Sequence, residues 1–302
     1  MSAALSLEHG WARKQADRTL ARLTPRQIGK WAVVSLYDEV ALYPKPGLVS
    51  FVDSGSHSDM DGQTFMRSLF SLRHYFCDIA QLGLDGASFP ALERCGMNAE
   101  TTMLQATGGV NTHRGAIFSL GLLSAAAGAV SLSQEQPSPQ AVRAELMHRW
   151  GAALSHRAQR APQLPGGVAA RLHGLRSASQ EASLGFPVLF ETTFPALCSA
   201  LDRGLDPGAA RLEALLHTIA VMDDCNLAHR GGLAGLHFAQ QQAQGFLASG
   251  GMARQGAHSR LQTLHQAFVE RRLSPGGAAD MLAAACLLLR LQRHRPRPWV
   301  MR

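Results

Sequence analysis

The chain has 302 residues, 46% hydrophobic and 17% charged, enough apolar material for one large core or two modest ones and too much for a disordered chain. Its 29 Lys and Arg against 22 Asp and Glu leave a formal charge of +7, which suits anionic ligands such as polyphosphates. Five widely spaced cysteines without a C-x-x-C pair exclude a disulfide framework or zinc knuckle, and a charged N-terminus (Glu8, Arg13, Lys14, Asp17, Arg18) with no bilayer-length apolar run predicts a cytoplasmic protein without membrane contact.

Aromatic residues make up only 6%, alternating β-branched stretches are scarce, and Ala, Leu, Arg and Gln dominate. The expectation is an all-α protein, a single multi-helix globular domain over residues 24–302 after an N-terminal extension over residues 1–23, with functional loops at helix ends. Thr24-Pro25-Arg26-Gln27 reads as a capping box with proline in the first turn, opening a helix that Pro44 and Pro46 must stop. The loop that follows holds Lys45 between two prolines, which pre-position a cation as a phosphate contact requires. Asp53, His57 and Asp59 come next, an imidazole and two carboxylates on a glycine-bearing loop, suited to a proton-transfer pair or a cation. Asp59 and Asp61 also suit capping of the next helix.

Spacings of three and four among Phe65, Leu69, Leu72 and Phe76 predict one helix from Gly62 through Leu82, ended by Gly83. A helix over Phe89 to Thr107 precedes the turn Thr107-Gly108-Gly109, after which Asn111, Thr112, His113 and Arg114 lead into a buried helix over Gly115 to Val130. Glycines followed by these residues at a helix start assemble an anion site, although no G-K-[ST] follows. Ser131–Gln140, Ala161–Gly167 and Ser183–Pro195 read as breaks. Helices are expected around 208–222, 232–248, 258–271 and 276–293.

Between the first two of these lies Asp223-Asp224-Cys225-Asn226 followed by His229-Arg230-Gly231-Gly232, paired carboxylates that could hold Mg²⁺ on a polyphosphate with Arg230 as a further cationic contact. Leu273-Ser274-Pro275-Gly276-Gly277 opens the last helix, with Asp280 in its first turns. The arginines are scattered and no recognition motif or aromatic platform accompanies them, so no nucleic-acid partner is expected.

Six segments together resemble the triphosphoribosyl-dephospho-CoA synthase family: P-K-P-G-L-V (44–49), G-S-H-S-D-M (55–60), G-G-V-N-T-H-R-G-A-I-F (108–118), E-A-S-L-G-F-P (181–187), D-D-C-N-L-A-H-R-G-G (223–232) and L-S-P-G-G-A-A-D (273–280). The resemblance implies transfer of the triphosphoribosyl group of ATP to the ribose 2′-hydroxyl of 3′-dephospho-CoA with release of adenine, and Mg²⁺ as the companion of ATP. Members serve malonate decarboxylase and citrate lyase, so the acyl carrier protein or its holo-transferase is an expected partner; the sequence leaves the oligomeric state open, a homodimer among the options.

The resemblance carries over Lys45, His57, Asp59, Asn111, His113, Arg114, Glu181, Asp224, Asn226 and Arg230 as ligand-site candidates. The chemistry of the reaction then suggests Asp59 or Glu181 as the base, His113 as the acid that protonates adenine, Lys45, His57, Asn111, Arg114, Asn226 and Arg230 as nucleotide contacts, and Asp223 and Asp224 as metal ligands. Ser50 stands where the family often has an acid, and Cys225 where it has threonine. Two other readings fit the residues alone: a helical Mg-dependent hydrolase of nucleotides or ADP-ribose, and a non-enzymatic nucleotide-binding subunit.

Overall fold

A computed structural model describes residues 23–134 and 137–294, so the expected N-terminal extension lies outside the described residues except for Leu23, which is buried in the core. Thr24 caps α1 (Pro25–Val40) as its sequence predicts: the Thr24 N–H donates to Gln27 Oε1 at 2.9 Å and the Gln27 N–H to Thr24 Oγ1 at 3.3 Å. The chain then turns through a cis Tyr43–Pro44 bond.

The single helix expected over residues 62–82 is two, α2 (Gly62–Ser71) and α3 (Tyr75–Leu84). Leu72 and Phe76 are both fully buried while Phe70 is exposed, and the turn at residues 72–74 lets both large side chains reach the core. Gly83 does not end α3. A Cβ there would overlap the Ala125 carbonyl, and one at Gly128 would overlap the Ala80 carbonyl, so glycine is what lets α3 cross α5 (Arg114–Val130) with the backbones nearly touching.

Between them runs α4 (Phe89–Ala106), close to its expected span. Helix α5 buries 14 of its 17 residues and is the axis of the fold. It is followed by α6 (Pro139–Ala158), α7 (Pro165–His173) and α8 (Ala178–Ser183). The break expected over 183–195 holds a π turn, Leu189–Thr193, and Pro195 lies in the first turn of α9 (Phe194–Asp202), where a missing N–H costs nothing.

Next come α10 (Pro207–Val221), α11 (Cys225–Ala248), α12 (Ala257–Glu270) and α13 (Gly276–Arg293). Helix α11 starts seven residues before the expected 232, because Asp224 caps it; Gly232, at φ 61° and ψ −166°, interrupts it. Helices α5 and α13 pack together at the centre, with α1, α3, α6 and α10 around them. Among the described residues there is no strand, and no helix is long and apolar enough to cross a membrane.

Candidate functional site

The loop after α1 and the N-terminal ends of α5, α11 and α13 meet at one end of the bundle. Glycines make the approach close: a Cβ at Gly47 would overlap the Leu273 carbonyl, and one at Gly115 would overlap Asp280 Oδ2. A Cβ at Gly276 would lie 2.7 Å from Asn226 Nδ2. Four of the six sequence motifs are thereby joined. His57 adds a fifth, its Nε2 standing 3.0 Å from Ser274 Oγ.

The floor is charged and buried. Lys45 is 1% exposed and donates to Glu39 Oε1 at 2.5 Å and to the Glu39 carbonyl at 2.7 Å. It is therefore an inward-facing ion pair, its ammonium, expected as a phosphate contact, already engaged by Glu39. Burial pushes its ammonium pKa down against the pull of Glu39. His113, 4% exposed, directs Nδ1 to Ser68 Oγ at 2.6 Å, while its Nε2 is buried with no hydrogen-bond partner. Burial, and then the Lys45 charge, hold His113 down to about 3. An imidazole held that low is neutral at physiological pH, which favours a hydrogen-bonding role over the proton donation that the sequence reading expects.

Asp224 is fully buried and joins two helices. Its Oδ1 accepts from the N–H groups of Asn226 (2.9 Å) and Leu227 (3.3 Å), its Oδ2 from that of Ala278 (3.0 Å), so one carboxylate caps both α11 and α13. Burial still pushes its pKa up, against those donors. Both oxygens being occupied by amides, Asp224 does not fit a metal ligand. Asp223 accepts from the Arg176 N–H at 3.2 Å, and among the described residues no group of three or more His, Cys, Asp and Glu could hold a metal ion. The residues present do not fit a protein-held Mg²⁺.

The mouth carries His57, Asp59 and Arg230. Arg230 Nη2 donates to His57 Nδ1 at 3.0 Å, and its Nη1 to the Ser56 carbonyl at 3.2 Å. That donation assigns the His57 proton to Nε2, facing Ser274. Burial and the Arg230 charge lower the His57 pKa. Asp59 lies 3.5 Å from His57 Nδ1 with a side chain 61% exposed, a carboxylate open to a ligand.

Glu181 is at the flank and already committed: Oε1 accepts from the Val188 N–H at 2.6 Å and Oε2 from Arg176 at 3.0 Å. Asn111 accepts from the Arg114 N–H at 3.2 Å and Arg114 Nε donates to Glu100 at 2.9 Å, ordinary capping and pairing at the start of α5. Asn226 is exposed beside Gly276. Ser50 is buried and accepts from the Val52 and Asp53 N–H groups, so this position holds the loop. Burial and the flanking aspartates raise the Cys225 thiol to about 12, so it is not a nucleophile.

Sequence reading missed Glu39 and His265. His265 on α12 is 1% exposed, its Nδ1 2.5 Å from the Lys45 carbonyl and its Nε2 3.1 Å from Asp53 Oδ2, and it fixes the proline loop from below. The available signal was periodicity: both residues fall on the apolar stripe of their helices, Glu39 with Ile28, Ala32 and Leu36, His265 with Leu261, Leu264 and Phe268.

Comparison with known proteins adds an independent line. The family model described as ATP:dephospho-CoA triphosphoribosyl transferase matches residues 25–298. The chain is 39% identical to the 2-(5″-triphosphoribosyl)-3′-dephosphocoenzyme-A synthase of Klebsiella pneumoniae over 90% of this chain and 93% of that one. It is 37% identical to a probable synthase of the same name from Vibrio cholerae, covering 88% of each chain. A third probable synthase, from Acinetobacter calcoaceticus, is 34% identical over 87% of this chain and 90% of that one. No solved structure matches.

Proposed function

The chain belongs to the ATP:dephospho-CoA triphosphoribosyl transferase family, and from that membership we propose that it transfers the triphosphoribosyl group of ATP to the ribose 2′-hydroxyl of 3′-dephospho-CoA, releasing adenine. The observation that supports this reading is the meeting of the proline loop, the His57 loop and the helix starts at Arg114, Cys225 and Gly276 at one end of the bundle. The basic rim of Arg230 and Arg114 suits a triphosphate that is bound and oriented and leaves intact on the product.

The chemistry needs a proton acceptor for the attacking hydroxyl. Asp59 fills it better than Glu181, because its carboxylate is largely open, whereas both Glu181 oxygens already accept hydrogen bonds. His113, neutral, offers Nε2 to a ligand. Burial first, and then the charge of Lys45 acting from within, keep His113 unprotonated. Any Mg²⁺ would travel on the nucleotide, and no step is assigned to it.

The protein is read as a cytoplasmic enzyme, its five cysteines all free. Its product would be the prosthetic-group precursor for the acyl carrier protein of malonate decarboxylase or citrate lyase. Offering the product to each carrier with its holo-transferase identifies the recipient, and light scattering checks for a homodimer.

The activity is tested by incubating the protein with ATP, Mg²⁺ and 3′-dephospho-CoA and following adenine and the adduct by mass spectrometry. Equal amounts of both establish the transfer. ADP or AMP with unchanged dephospho-CoA would replace it with a phosphohydrolase.

A further inference from the structure

Burial alone does not mark a reactive group in this protein. Glu213 is buried too, yet Arg203 and the Met252 N–H (2.8 Å) engage both its oxygens, and its role is structural. Glu39, Asp224 and Glu181 are likewise committed. One deep carboxyl is different. Asp280 lies in the first turns of α13 with its Oδ2 against Gly115, and no donor among the described residues is within hydrogen-bond distance of it.

Asp280 is partly exposed, and the buried, unpartnered Nε2 of His113 belongs to the same helix start that Asp280 touches. Two polar groups without protein partners, on facing helices at the meeting point of the motifs, mark a place a ligand completes.

We propose that Asp280 is the general acid of the transfer, donating its proton to a ring nitrogen of the departing adenine. This rests on the transferase reading. The new bond joins the 2′-oxygen of 3′-dephospho-CoA to C1′ of the ATP ribose as the C1′–N9 bond breaks. The bonding pair goes to adenine, which takes the Asp280 proton; the hydroxyl proton goes to the base, Asp59. Solvent then reprotonates Asp280 and receives the proton from Asp59, so the turnover balances.

The surroundings suit this role. The groups acting on Asp280 are Asp224, from the start of α11, and Glu39, from α1, whose charge Lys45 partly offsets; His113, from the start of α5, is neutral. Burial first, then those two carboxylates, push the Asp280 carboxyl well above the usual range, so it holds a proton that His113 cannot. Cleavage of a glycosidic bond with an oxocarbenium-like transition state commonly pairs a buried, protonated carboxyl with an open, ionised one, and Asp280 and Asp59 divide in that way.

The test compares Asp280→Asn with the wild type on two donors, ATP and the ribosyl-1-fluoride 5-triphosphate, whose fluoride leaves without a proton. Expected is a roughly 10²–10⁴-fold loss of kcat on ATP at little-changed KM, and near wild-type turnover on the fluoride. The fall of wild-type kcat/KM at rising pH, from ionisation of the acid, should vanish in the variant. Equal losses on both donors, or full activity on ATP, would overturn the assignment. Since the fluoride reports on a folded, competent site, misfolding would show as the equal loss and is separated from it by the melting temperature. A wild type that makes no adduct from ATP overturns the transferase reading itself, and the Asp280 role with it.

Discussion

The two ends of α13 make an instructive pair. Near its C-terminus a groove of about 430 Å³ is lined by Trp31, Leu197, Leu201, Pro207 and Leu289, with Arg211 and Arg290 at its side. Its central charges are matched: Asp38 accepts from Arg211 at 2.8 Å and from Arg290. Ten residues earlier on the same helix, about 15 Å away, Asp280 lies against the start of α5, where His113 Nε2 is buried without a partner. A hollow with satisfied walls is architecture, whereas unsatisfied polar atoms where backbones crowd indicate chemistry. The comparison can be attacked from either end.

The largest effect is expected at Gly115. A valine there would displace Asp280 and the start of α5, costing activity about 10²-fold or more, measured as adenine release, with a loss of about 1–3 kcal/mol from overpacking. Asp224→Ala should come next, removing both helix caps at once for about 2–4 kcal/mol, read from the urea midpoint, and abolishing turnover.

His113 gives a pH signature. Its folded pKa of about 3 lies below the roughly 6.5 of an unfolded histidine, so the unfolded chain binds the extra proton in that window. Stability is therefore full above pH ~6.5 and falls toward pH ~3, by up to about 1.4 kcal/mol per pH unit. Denaturation of His113→Gln across pH should lack that slope. Smallest is Asp38→Ala at the groove, expected to cost about 1–2 kcal/mol in thermal denaturation and to leave kcat unchanged. A loss of turnover there would mean that the two ends are coupled and the contrast is false.

Much of this was legible in the sequence, where local chemistry decides. The Thr24 box, the Phe89–Ala106 helix, the turn at Gly108 and Gly109 and the buried α5 follow from caps, glycine and apolar density. The break at Leu72–His74 was not legible, since the apolar spacing runs through it and only burial of both Leu72 and Phe76 separates α2 from α3. The candidate site was half legible. Loop residues such as His57 and Arg230 announce themselves, whereas Glu39 and His265 sit within helices, where a charged residue on an apolar stripe reads as noise until its neighbours are known. Lys45 shows the reverse error, its exposed-looking loop folding inward onto Glu39.

The α3–α5 crossing has a consequence for divergence of this sequence. Gly83 and Gly128 each face a carbonyl of the other helix, so neither site can accept even a methyl group unless the axes separate, and one replacement cannot offset the other because both push in the same direction. Since α5 begins at Arg114, beside the cleft, any drift at that distant crossing would be inherited by the catalytic end as a change of alignment. Two residues that touch no ligand thus restrict how far this enzyme can wander while keeping its reaction.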